Sequence, residues 1–268
     1  MVDFSRPEDQ ELSARFLHDG YIIAPSEDRA RLERMQARIV ELACRFLKIE
    51  APTDPLRFLN DVADLVPVDR LNEFRLHVID GINRTDWFRR AYFDTARNLV
   101  ERVVGNELCM QRRINLSIQL PDDESSLLPV HSDVWSGDSP FEVVLWIPMV
   151  DCFDTKSMYL LPPAEAAAFD RDFKSRAGAS AEDIFRSMEN DLRWMQVPFG
   201  SVLLFNQNLP HGNRINRETE ARWTMNCRFK GVFTPYMDKK LGEFFEPITL
   251  RAASRAGMAY TPPEAFEE

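Results

Sequence analysis

The sequence predicts a mainly β fold, a sandwich or jelly roll of short strands, standing behind an N-terminal block of helices. Three observations predict it. From residue 107 to 233, short runs rich in Val, Ile, Leu, Phe and Trp alternate with turn clusters. Residues 1–106 instead carry mixed charge at helical spacing. At 268 residues and 44% hydrophobic, the chain can bury one sizeable core without disulfide staples, so a single domain is expected over 1–268.

Taken in order, residues 7–17 read as a helix and 20–25, Gly-Tyr-Ile-Ile-Ala-Pro, as a short strand. Ser26, Glu27 and Asp28 can cap a helix running to about Leu47, with Leu32, Met35, Ile39, Leu42 and Phe46 on one face. Further helical stretches fall at 68–79 and 86–104. Strands follow at 109–120, 127–133, 141–150, 157–161, 194–197, 201–205, 211–215 and 222–233. Residues 164–190, rich in Ala, Glu, Asp and Arg, form one or two helices inserted between strands. Residues 234–268 are a C-terminal extension whose tail, 261–268, is expected to be mobile.

The formal charge of −10 excludes a nucleic-acid partner, because phosphate binding needs a clustered positive surface and the 33 basic residues are scattered. No apolar run approaches the roughly 20 residues a bilayer requires. The first five residues, Met-Val-Asp-Phe-Ser, have neither the basic nor the apolar region of a signal peptide. Cys44, Cys109, Cys152 and Cys227 form no CxxC pair, which fits reduced thiols and a cytoplasmic location.

The chemistry is carried by two of the four histidines. On a strand, residues at i and i+2 share a face, so His131 and Asp133 would project together. A tripeptide of this kind on its own more often sits on a solvated loop. Downstream, however, a turn at 198–200 and a buried strand at 201–205 lead to His211, and Arg222 follows eleven residues later. Two histidines and a carboxylate can occupy one face of an octahedron and leave three positions open, the arrangement of non-haem iron(II) oxygenases.

In this order and spacing the region resembles the phytanoyl-CoA dioxygenase-like branch of the iron(II)/2-oxoglutarate oxygenases, a double-stranded β-helix (cupin-like) family, over roughly residues 107–233. The resemblance implies His131, Asp133 and His211 as iron(II) ligands and Arg222 as the anchor for the distal carboxylate of 2-oxoglutarate. It implies dioxygen as second co-substrate and hydroxylation as the default outcome, and with Asp133 in place it disfavours halogenation. The segment 157–163 departs from the family in lacking a Pro-Gly-Ser-His ending, which bears on the active-site rim. Residues 132–141 and 156–158 further resemble a subgroup associated with bacterial surface-carbohydrate gene clusters, which implies a sugar, a nucleotide sugar or another polar small molecule as substrate.

The residues leave several roles open. A buried Arg222 needs an anion, and a dicarboxylate supplies one; the alternative is an ion pair with Glu218 or Glu220. Asn213 and Asn216 either support His211 and the co-substrate or serve turns. Arg113, Asn115, Ser117 and Gln119 share one strand face that meets either the cofactor and substrate or water. Trp135 offers a platform for a sugar ring, and Asp138, Asn115 and Gln119 offer hydrogen bonds to hydroxyls. His18 and His77 lie in helical stretches with no chemical partner in sequence. Two other function classes compete: a non-redox, metal-dependent cupin-like enzyme, against which Arg222 counts, and a metal-free binding protein. Within the oxygenase class, an amino acid or acyl-CoA substrate is the alternative to a sugar.

Overall fold

The structure, a computed structural model, describes residues 3–263; residues 264–268, the end of the expected tail, lie outside the described residues. The helical block contains α1 (Pro7–Asp19), β1 (Tyr21–Pro25), α2 (Arg29–Leu47), α3 (Pro55–Asn60), α4 (Leu71–Asn83), α5 (Phe88–Asp94) and α6 (Arg97–Val104). Then come β2 (Leu108–Gln111), β3 (Asn115–Gln119), β4 (Val143–Pro148), β5 (Tyr159–Leu160), the insertion α7 (Pro163–Arg171) and α8 (Ala181–Met188), and β6 (Arg193–Trp194). The chain finishes with β7 (Ser201–Asn206), β8 (His211–Gly212), β9 (Arg222–Gly231), β10 (Phe245–Pro247) and α9 (Ala252–Ala259). The description mainly β holds for the second half only: among the described residues helices hold more of the chain than strands.

Two antiparallel sheets organise these elements. The larger runs β1-β7-β4-β9-β2-β10, with β3 also on β9, and the smaller runs β6-β5-β8. β9 is the axis of the large sheet. Trp223, Met225, Cys227 and Phe229 on one of its faces are completely buried. Trp223 meets Phe74 of α4 edge-on at 5.7 Å and donates its indole N–H to Leu59 O at 2.8 Å. Tyr92 of α5 donates to Leu145 O on β4 at 2.6 Å, and Gln36 of α2 to Met149 O at 2.7 Å. The helices therefore cover the back of the large sheet, and each large apolar side chain buried there stabilises by roughly 1.5–3 kcal/mol.

Where elements break, neighbouring side chains account for it. The expected strand 109–120 is two strands laid end to end along β9, because Asn83 at the end of α4 takes both the N–H and the C=O of Ile114. The expected helix 86–104 is two helices, α5 and α6. Thr95, between them, gives its carbonyl to Glu27 N, and the Glu27 carboxylate caps the backbone N–H groups of Asn98 and Leu99. The expected strand 127–133 is not a strand. Pro129 has no N–H to donate, so residues 128–131 run beside β8 on a few bonds only, and Asp133 opens a short 3-10 turn, Asp133–Ser136. No helix among the described residues is long and apolar enough to cross a membrane.

Candidate metal centre

His131 and His211 face one another across a single antiparallel bridge, each N–H bonded to the other's C=O at 3.0 and 2.8 Å. The strand argument for pairing His131 with Asp133 fails, since Asp133 lies in the turn beyond the bridge; the two side chains nevertheless converge. His131 Nε2 lies 3.5 Å from Asp133 Oδ1, and one ligand atom from each of His131, Asp133 and His211 lies within 4.8 Å of the others. Each imidazole is oriented by its own backbone: His131 Nδ1 donates to Pro129 O at 2.9 Å and His211 Nδ1 to Leu209 O at 2.8 Å. A carbonyl can only accept, so the proton sits on Nδ1 and the Nε2 lone pair is left for a metal. Burial, with the neighbouring His131, lowers the His211 pKa to about 4, which keeps the ring neutral.

Asp133 is held as firmly. Burial alone would raise its pKa, but the positive charge of Arg228 beside it holds it well below the usual carboxylate range. Arg228 donates to Asp133 Oδ2 at 2.8 Å and to Gln207 Oε1 at 3.0 Å, which leaves Oδ1 on the side of the histidines. The 3-10 turn that carries Asp133 closes at Gly137, whose φ of +88° and close approach to the Asp238 carboxylate favour glycine. Gly212 is needed for a different reason. A Cβ there would stand 2.6 Å from Tyr159 Oη and 2.8 Å from Leu128 O, so only glycine lets the segment bearing His131 close on β8.

The triad opens into a cavity of about 130 Å³. The cavity-lining residues of β9, Arg222, Thr224, Asn226 and Arg228, are all polar, and Val144, Trp146, Met158 and Phe205 supply apolar wall. Arg222 is 4% exposed; it donates to Ser157 O at 2.9 Å and Ser117 Oγ at 3.1 Å, while its Nε has no partner. Among the described residues no carboxylate pairs with it. Glu220 is bound to Lys156 and Glu218 accepts from Thr155, so the alternative sequence partners are both engaged elsewhere. Cys152 is no substitute, because burial pushes its thiol up to about 12. Burial also lowers Arg222 to about 10, still cationic at neutral pH.

The remaining sequence candidates are distributed differently. Asn213 lines the cavity and ties down the His131 segment, accepting from Leu128 N at 2.6 Å. Asn115 lies outside the cavity lining and donates to Asn226 Oδ1 at 3.0 Å, so it orients a lining residue. Gln119 is fully buried against Arg214 O at 2.7 Å, away from the lining. Asp138 is 3% exposed and engaged by Lys239 and, at 3.5 Å, Arg228, which takes it out of reach of a substrate hydroxyl. Trp135, 36% exposed, stacks at 5.9 Å on Phe169 and lies 5.0 Å from Phe173, making an aromatic shelf between the Asp133 turn and the helical insertion. The arginine that holds Asp133, Arg228, was not among the sequence candidates for the metal centre. The polar-apolar alternation of 222–229 was its signal.

No family model matches the chain, and no curated protein matches it. Solved structures do match. The chain is similar to a nickel complex of the non-heme monooxygenase ThoJ (15% identity, 94% of this chain and 88% of that one, TM-score 0.58). It is similar to EctD from S. alaskensis with 2-oxoglutarate and 5-hydroxyectoine (16%, 88% and 80%, 0.56). It also resembles the epimerase SnoN in complex with Fe3+, alpha ketoglutarate and nogalamycin RO (17%, 85% and 86%, 0.50). The chain thus has the fold of non-haem iron, 2-oxoglutarate-type enzymes.

Proposed function

We propose that this protein is an iron(II)- and 2-oxoglutarate-dependent oxygenase, its two sheets forming a double-stranded β-helix around the cavity. The observation that carries the reading is one cavity holding both a His-Asp-His set with two free Nε2 lone pairs and a buried guanidinium without an anion. His131, Asp133 and His211 would hold the iron, and Arg222 with Ser117 would hold the distal carboxylate of 2-oxoglutarate, as a guanidinium fork suits a carboxylate. The solved structures with 2-oxoglutarate or alpha ketoglutarate bound to this fold support the same cofactors.

When bound, iron with 2-oxoglutarate and dioxygen supplies the oxidising chemistry of this class, with succinate and carbon dioxide as by-products. The chain's own contribution is orientation and shielding. The two backbone carbonyls fix the imidazoles, Arg228 fixes Asp133, and the apolar wall of Val144, Trp146, Met158 and Phe205 excludes water. At about 130 Å³ the cavity is smaller than the roughly 300–1,000 Å³ of a typical ligand site, so it suits the co-substrate and leaves the substrate to dock at the mouth. There His131 is partly exposed, Leu128 lines the cavity and is itself exposed, and Trp135 follows two residues after the lining residue Asp133. The exposed face of Trp135 and the polar lining residues Ser126 and Asn213 suit a sugar, a nucleotide sugar or a similarly polar molecule, and hydroxylation is the expected outcome.

The test is succinate release and oxygen uptake measured side by side with sugar nucleotides, amino acids and acyl-CoAs. Coupled turnover with a sugar derivative is expected. Turnover with the other classes alone would sink the carbohydrate reading, and no 2-oxoglutarate consumption under any condition would sink the oxygenase reading itself.

A further inference from the structure

A second cavity, larger than the one at the candidate metal centre, lies elsewhere in the molecule. A cleft of about 580 Å³ lies between the end of α4, α5, α6, the junction of β2 with β3, and the segment 248–251 with the first turn of α9. That volume lies inside the roughly 300–1,000 Å³ range of small-molecule sites. Its apolar lining comes from Ile82, Phe93, Met110, Ile114, Ile248 and Leu250. Around these converge six arginines, Arg89, Arg90, Arg97, Arg112, Arg251 and Arg255, in a chain whose formal charge is −10.

The arginines are not all neutralised. Asp94 takes Arg90 and Arg97, and Glu246 takes Arg89. Arg112 reaches Glu246 only at 3.7 Å, and no salt bridge forms at Arg251 or Arg255 among the described residues. Asp86 and Glu101 also border the cleft, and at the α9 side Glu107 accepts the Arg251 backbone N–H at 2.9 Å, which leaves the Arg112, Arg251 and Arg255 guanidiniums without a carboxylate in hydrogen-bond reach among the described residues. Arg89 is partly withdrawn from water and donates to Gln111 O at 3.1 Å and Met110 O at 3.0 Å, which fixes a donor-rich wall to the sheet. A cationic rim over an apolar floor recognises a ligand with the opposite arrangement.

The geometry points to a second ligand site here, one for a small amphipathic anion: a phosphate or carboxylate carried on an apolar or aromatic body. The anionic group meets Arg112, Arg251 and Arg255, where bidentate guanidinium contacts are available, and the body covers Ile114, Ile248 and Leu250. The inference is independent of the metal centre, from which this cleft shares no lining residue.

Calorimetric titration at low salt with phenyl phosphate, inorganic phosphate and phenol tests it, because each probe lacks a different part of the recognised chemistry. Phenyl phosphate is expected to bind one per chain, at least tenfold tighter than inorganic phosphate or phenol. The exposed double variant Arg251→Ser/Arg255→Ser, with an unchanged circular dichroism melt, is expected to lose at least tenfold in affinity. Arg222→Met is expected to bind phenyl phosphate as the parent does. The proposal is overturned by absence of saturable phenyl phosphate binding, by equal affinity for phenol or inorganic phosphate, or by an unaffected double variant. Loss of binding in Arg222→Met would overturn it as well, by moving the anion to the metal cavity.

Discussion

At the scale of single residues, the candidate metal centre rests on fixed side-chain orientations as well as on burial. His131→Ala or Asp133→Ala should abolish tight iron(II) binding in an anaerobic titration; retention of parent affinity by both would remove the triad. Arg228→Met tests orientation separately. It leaves every ligand atom in place but frees Asp133 Oδ2, and loss of such a supporting partner weakens metal binding by about 10–100-fold. A cobalt(II) absorption spectrum shifted from the parent's would show that the geometry, not the fold, has changed. Arg222→Met should leave metal affinity intact and raise the KM for 2-oxoglutarate, by an amount corresponding to on the order of 2–5 kcal/mol for a lost buried charge pair. An unchanged KM would place the anchor elsewhere.

Elements decide whether those residues meet. Gly212→Ala places a methyl against Tyr159 Oη and the Leu128 carbonyl, so the His131 segment must retreat. Crowding of this kind costs about 1–3 kcal/mol, and metal affinity should drop along with the melting temperature. A variant as stable and as metal-competent as the parent would show that residues 128–131 are free to shift. Much of this level was legible in the sequence. Strict alternation gave β9, and the cap at Asp28 with the apolar face of Leu32, Met35, Ile39 and Leu42 gave α2; His131, Asp133 and His211 do converge, but through a turn and not along the strand their spacing suggested. What escaped was set by distant side chains: Asn83 splitting β2 from β3, and Glu27 capping α6 across 71 residues. The α3 start was local, an Asp54 cap before Pro55, but six residues are too few for periodicity to show. Asp138 misled because a buried carboxylate paired to Lys239 and Arg228 reads in sequence like any loop aspartate.

At the scale of the whole molecule, the buried neutral His211 links stability to pH. Its folded pKa, about 4, lies below the ordinary 6.5, so the unfolded chain takes up the proton first as pH falls. The contribution is fully present above about pH 6.5 and is lost progressively toward pH 4, amounting to about 3 kcal/mol. Urea unfolding of metal-free protein across that window should show the loss, and His211→Asn should flatten it. A pH-independent unfolding free energy between 6.5 and 4 would contradict the neutral, buried imidazole.

Trp135 gives the molecule a built-in optical reporter. It is the most exposed of the five tryptophans, begins two residues after Asp133, and so emits toward the red, whereas Trp223 in the buried layer emits toward the blue. A paramagnetic ion seated between His131, Asp133 and His211 should dim Trp135 and the buried Trp146 on the cavity wall, and spare Trp223 on the opposite face of β9. Occupancy can thus be followed by fluorescence in real time, without a label.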